Sequence, residues 1–141
     1  MDRILSVRSP VRLVAQVMEP LAGGRAARYQ RYDWLERRLT DWSLVAPSPI
    51  VIVEGVSSAR SEWSNHLSFV VWIETDRSVR LRRGLERDGE GMRSQWDEWM
   101  SAEDRHFTGD PSRVRADLVV DGAPTIAHDP ESSFVAVASR T

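Results

Sequence analysis

At 141 residues the chain is long enough for one domain with its own core, and 41% hydrophobic with 28% charged residues is ordinary for a globular protein. A formal charge of -2 and a pI near 5.9 argue against a nucleic-acid partner, which calls for a basic surplus. The lack of cysteine excludes disulfides and thiolate metal sites and fits a reducing cytoplasm, and no apolar run approaches the roughly 18 to 20 residues of a membrane span. All 19 strong cations are arginine, and without lysine the phosphate-loop pattern G-x-x-x-x-G-K-[ST] cannot occur.

Along the chain, Leu13, Val14, Val17, Met18 and Leu21 recur at helical spacing, and Gly23-Gly24 stops that helix. Residues 25–34 are basic and aromatic without a clear period and read as a loop or irregular strand. A short amphipathic stretch follows over 35–45, punctuated by Pro47 and Pro49. Residues 50–53, four β-branched side chains in a row, predict a strand buried on both faces that ends in Glu54-Gly55. A second such strand is expected over 69–74. Then comes a helix from about Arg77 to Asp88 with Thr75 or Asp76 as its N-cap, broken by the glycines of 88–91. A longer helix is expected over 92–107, a third strand over 116–122, and a strand-like run over 134–137. Strands alternating with helices indicate a single α/β domain over 1–141 with a parallel sheet, in which 124–141 forms a C-terminal tail.

Four groups of residues stand out. Glu54, at the carboxyl tip of a predicted strand, is placed to reach Mg²⁺ or a substrate hydroxyl, although a strand can simply end in a polar residue. On the helix 77–88, Leu81 and Leu85 share one face while Arg80, Arg83 and Arg87 cluster on the other. Such a face suits phosphate oxygens, and equally a solvated surface laced with ion pairs to Glu74, Asp76, Glu86 and Asp88. The helix 92–107 carries an apolar stripe of Met92, Trp96, Trp99, Met100 and Phe107. Glu103 falls within that stripe, where a carboxylate needs a partner or a raised pKa, and the arginines of 77–88 are the nearest candidate cations. Finally, Tyr32, Asp33 and Trp34 combine rings that stack on a base with an acid that accepts from sugar hydroxyls. A loop pinned by aromatic packing has the same composition.

Taken in order, Tyr32-Asp33-Trp34, the 50–55 run IVIVEG, the 71–74 run VWIE, the 80–88 run RLRRGLERD, the span from Trp96 to Phe107 and the 116–122 run ADLVVDG resemble the uridine kinase-like branch of P-loop kinases, over roughly residues 11–123. The resemblance implies an α/β fold of P-loop kinase type, and transfer of a phosphoryl group from ATP with Mg²⁺ to the 5′-hydroxyl of a pyrimidine nucleoside. It implies that Tyr32, Asp33 and Trp34 lie by the nucleoside, that Glu54 stands near Mg²⁺, and that Arg80, Arg83, Arg87 and Asp88 belong to a lid over the phosphates. In that family a first strand, the phosphate loop and a second strand precede everything matched here, while Met1 to Ser9 match nothing. The expectation is therefore a partial kinase-type sheet, weak or inactive alone, that binds a nucleoside or nucleotide or serves as a non-catalytic nucleotide- or protein-binding remnant. In this family the first strand lies between those corresponding to 50–54 and 69–74. Without it those two must pair directly, leave a gap, or borrow a strand, which favours a homo-oligomer.

Overall fold

The computed structural model describes residues 12–33, 36 and 38–139. Trp34, the segment 1–9 and the last two residues of the tail lie outside them.

The first element among the described residues is a π-helical turn, α1 (Val14–Met18), continued by α2 (Glu19–Ala22). The Glu19 amide reaches back to the Val14 carbonyl. This wider turn comes just before Pro20, whose missing N–H and bulky ring disfavour the regular pattern there. The Gly23 amide then bonds to the Glu19 carbonyl at 3.1 Å and the Arg25 amide to the Pro20 carbonyl at 2.9 Å, with Gly24 at φ 69° closing the end.

Strands β1 (Ala27–Asp33) and β2 (Arg38–Val45) form an antiparallel hairpin. Within the aperiodic stretch 25–34, residues 27–33 thus form a strand, and its pairing is irregular: the register shifts between Gln30 and Tyr32. Ala27 is fully buried at the base of the hairpin, whereas Trp42 and Leu44 are exposed.

The strand expected over residues 50–54 does not form. That segment is irregular, with Ile50 77% and Ile52 85% exposed. The preference of β-branched residues for strands reflects packing against neighbouring strands, and none pairs with these among the described residues. Pro49 at the segment's start also removes a backbone donor. Among the described residues neither direct pairing with 69–74 nor a borrowed strand fills the place, and the free edge of the sheet stays open; a strand borrowed from 1–8 lies outside the described residues.

The main sheet holds β3 (Val71–Glu74), β4 (Leu118–Asp121) and β5 (Ala136–Ser139) in the order β3-β4-β5. β3 and β4 are parallel, from Val71 opposite Leu118 to Glu74 opposite Asp121. β5 runs antiparallel to β4, so the sheet is mixed rather than wholly parallel. The run beginning at Phe134 does contribute a strand, displaced towards the C-terminus. Between β3 and β4 the chain crosses over through α3 (Arg77–Asp88), a 3₁₀ turn (Glu90–Met92), α4 (Arg93–Gly109) and α5 (Ser112–Arg115). Asp76 caps α3, its carboxylate accepting from the Ser78 amide at 2.8 Å. Gly89 ends it at φ 93°, a conformation that side chains avoid.

α4 lies against one face of the sheet, where Phe107 meets Trp72 edge-on at 4.7 Å between ring centres. Met100 is fully buried, and Leu85, Ala102, Ala116 and Val119 complete this core. On the opposite face Val71 is 50% and Ile73 64% exposed. The alternation along β3 therefore separates a covered face, with Trp72 and Glu74, from a bare apolar one.

Candidate functional site

The carboxyl ends of β3 and β4 and the arginine-rich helix α3 converge. Arg83 donates to the Gly122 carbonyl at 2.9 Å, tying α3 to the chain just beyond β4. The Gly122 amide in turn bonds to the Glu74 carbonyl at 2.7 Å. A side chain at 122 would press on Thr75 and stand 2.7 Å from the Ile73 methyl, so this crossing of β3 and β4 requires glycine. Glu74 ends β3 with two donors, the Trp72 indole N–H at 3.2 Å and the Arg113 guanidinium from α5.

The three arginines singled out on α3 do not form a bare cationic cluster. Each has its own partner, as an ion-paired helix would have. Arg80 pairs with Glu103, whose side chain is only 7% exposed. This is the pairing that a carboxylate on an apolar stripe demands. Arg83 holds Gly122 as described, and Arg87 gives two hydrogen bonds to Asp88, from Nε at 2.8 Å and Nη2 at 2.9 Å. Asp88 also receives the Trp96 indole N–H at 3.0 Å. The Arg87 guanidinium, followed by burial acting the other way and then the Trp96 bond, leaves the Asp88 carboxyl below its ordinary range. Along the outer flank Arg77 meets Asp104 at 2.7 Å and Arg82 stands 3.7 Å from Glu86.

The remaining predicted residues lie elsewhere. Tyr32 and Asp33 end β1 in the hairpin, a sheet of its own. The Asp33 carboxylate accepts from the Glu36 amide at 2.8 Å, the hydrogen bond of a turn. Glu54 is exposed on the irregular segment rather than at a strand end. Among the described residues no group of three or more His, Asp or Glu could hold a metal ion. Mg²⁺ ordinarily takes one or two carboxylates together with nucleotide phosphates and water, so Glu54 fits only as one ligand of a nucleotide-borne ion.

A second polar cluster escaped the sequence reading. Arg115 donates to the Ala59 carbonyl at 2.9 Å and pairs with Asp110, while Ser112 donates to the same carbonyl at 3.0 Å. Asp110 also receives the Ser61 amide at 2.9 Å. Burial alone would raise the Asp110 carboxyl, but the Ser61 and Arg115 bonds outweigh it and hold it below the ordinary value. Burial, and next the Arg60 charge, push the neighbouring His106 below its own ordinary value. The bonds to Ala59 and Ser61 span 49 to 56 residues of sequence, so no local signal announces them. This cluster fastens the 57–66 segment to the end of α4.

The result is a mixed α/β protein whose arginine-rich helix is anchored over the carboxyl ends of two parallel strands. No family model matches the chain. Two curated uridine kinases do: that of Halobacterium salinarum, 27% identical over 120 residues, and that of Borrelia hermsii, 28% identical over 112. The matches cover 78% and 74% of this chain but 53% of each relative, so the chain spans about half the length of the curated relatives it matches. These likenesses support a distant, nucleoside-kinase-like relationship.

Proposed function

We propose that the chain is a nucleoside-kinase-like domain that binds the polyphosphate of a nucleotide against α3, with Tyr32 and Asp33 of the hairpin, and Trp34 beside them, on the nucleoside side. The observation that carries this reading is the anchoring of α3 by Arg83 to Gly122, in a chain similar to two uridine kinases. Ligands of α/β sheets bind beyond the carboxyl ends of the strands, and α3 stands there. The reaction is phosphoryl transfer from ATP to the 5′-hydroxyl of a pyrimidine nucleoside.

In such a transfer the protein's work is to position the two substrates and neutralise charge. Arg80, Arg83 and Arg87 with Asp88 supply the phosphate side, and Glu54 stands as the carboxylate for nucleotide-borne Mg²⁺. Without a phosphate-loop lysine, neutralisation of the β- and γ-phosphates falls to arginines already engaged, Arg80 and Arg87 with carboxylates and Arg83 with the Gly122 carbonyl, so turnover by this chain is weak or absent. The exposed Val71 and Ile73 favour a second reading, a non-catalytic domain that binds a protein partner, including another copy of itself. The balanced charge favours neither a nucleic-acid nor a membrane partner, and the cysteine-free composition suits the cytoplasm.

Titration calorimetry with ATP·Mg²⁺ and with uridine, alongside an assay of phosphate transfer from ATP to uridine or cytidine, tests the reading. Salt-sensitive ATP binding with at most trace turnover is expected. Robust turnover would refute the argument from the missing lysine, and no binding of either ligand would refute the nucleotide site.

A further inference from the structure

Trp96 connects three features at the junction of α3 and α4. A Cβ placed on Gly84 would lie 2.5 Å from the Trp96 ring, so the indole rests directly on the α3 backbone, where only glycine leaves room. The indole N–H donates to Asp88 at 3.0 Å, and the Arg87 guanidinium carbon stands 5.7 Å from the ring centre. Trp99 meets Trp96 edge-on at 5.3 Å, bracing it from the next turn of α4.

The chemistry of the guanidinium gives this arrangement a purpose. Four of its five N–H groups lie along two edges, one formed by Nε and Nη2 and the other by Nη1 and Nη2. Asp88 takes the first edge with both of its oxygens. The second edge has no partner among the described residues, and the Arg87 side chain is 72% exposed. Asp88 therefore orients Arg87 without exhausting it, and the open edge retains the fork that matches a phosphate oxygen pair. A shallow cavity of ≈ 340 Å³, lined by Arg87, Asp88, Met92, Gln95, Trp96 and Trp99, adjoins it.

We propose that Trp96 is a positioning residue: seated on Gly84 and holding Asp88, it fixes Arg87 so that the outer edge of the guanidinium faces an incoming oxyanion. The choice of a nucleotide polyphosphate as that oxyanion rests on the function proposed above; the positioning itself does not. Holding the long arginine side chain beforehand lowers the entropy cost of meeting the phosphate.

The test uses the full chain with ¹⁵N-labelled arginine, inorganic triphosphate as probe, and the variants Trp96→Phe, Asp88→Asn and Arg87→Ala. Trp96→Phe deletes the N–H but also shortens the ring that lies over Gly84, so Asp88→Asn, which leaves that packing intact, separates loss of the bond from loss of the contact. A slowly exchanging Arg87 Nε–H signal is expected in the native chain, with exchange about fivefold faster in Trp96→Phe and in Asp88→Asn, the loss of one net hydrogen bond. Triphosphate affinity falls about fivefold in Trp96→Phe, and adding Arg87→Ala to that variant costs less than Arg87→Ala costs the native chain. Unchanged Arg87 exchange in Trp96→Phe overturns the proposal, as do losses of affinity that simply add. Faster exchange in a protein that binds no triphosphate upholds the positioning and refutes the nucleotide reading instead.

Discussion

Glu103 of α4 and Arg80 of α3 form an ion pair that is buried unevenly: the carboxylate side chain is 7% exposed and the arginine 32%. Removing the arginine strands a buried charge, whereas removing the carboxylate leaves a cation with access to water. Arg80→Met is therefore expected to cost about 3 kcal/mol and Glu103→Gln about 1 kcal/mol. Replacing both with Met and Leu recovers most of the loss, because two apolar side chains leave no charge to satisfy. Urea denaturation of the three variants checks the order, and equal costs for the two single variants would contradict it.

Gly84→Ala sets two effects against each other. Alanine improves helix propensity by about 1 kcal/mol, while its Cβ drives Trp96 off α3 at an overpacking cost of about 1–3 kcal/mol. Net destabilisation with red-shifted tryptophan emission is expected. Gly91→Ala, at a position with nothing within 4 Å of the added carbon, is the control and leaves the emission unchanged.

The pH dependence follows from His106 and Asp110. His106 titrates below its ordinary 6.5 in the fold, with Arg60, Asp110, Glu62 and Arg115 around it. The unfolded chain therefore takes up its proton first as pH falls, and stability declines below about 6.5 until the folded imidazole also protonates. His106→Gln removes this decline, a difference below about 1 kcal/mol after solvent screening. Asp110 is held below its ordinary 3.8, so its contribution is fully present above that value and is lost as pH falls through the lower folded one. Denaturant midpoints at pH 7.5, 5.5 and 3.5 separate the two.

The bare face of β3 carries a solubility cost rather than a stability gain. Val71→Thr, at a half-exposed position, changes stability by less than about 0.5 kcal/mol and lowers binding of a hydrophobic dye. A large loss of stability would mean that this face is covered in solution.

The helices were the most legible part of the sequence. Leu81 and Leu85 set the period of α3, Asp76 its start and the glycines its end, and a carboxylate within the apolar stripe of α4 called for a cation. The hairpin was less so, because both of its faces carry exposed side chains and a bulge breaks the alternation. Residues 50–54 misled because four β-branched side chains state a preference for strand but cannot supply a neighbour. At the site, the charged face of α3 was readable, whereas its division into separate pairs with Glu103, Gly122 and Asp88 was not, since two of those partners arrive from other elements.

The bulge in the hairpin bears on any ligand that meets it. Gln30 stands opposite Trp42, but Tyr32 stands opposite Leu39, an odd step on the facing strand. The supernumerary residue thus belongs to β2, where Asp41 and Thr40 together oppose Arg31, and the bulge lets β1 keep its alternation, with Tyr32 on the side of Gln30 and Trp42 rather than that of Tyr29. The side to which this aromatic is presented is thereby encoded in a residue count: deleting Arg31 would rotate Tyr32 from the Trp42 side to the Tyr29 side while leaving every ring in the sequence.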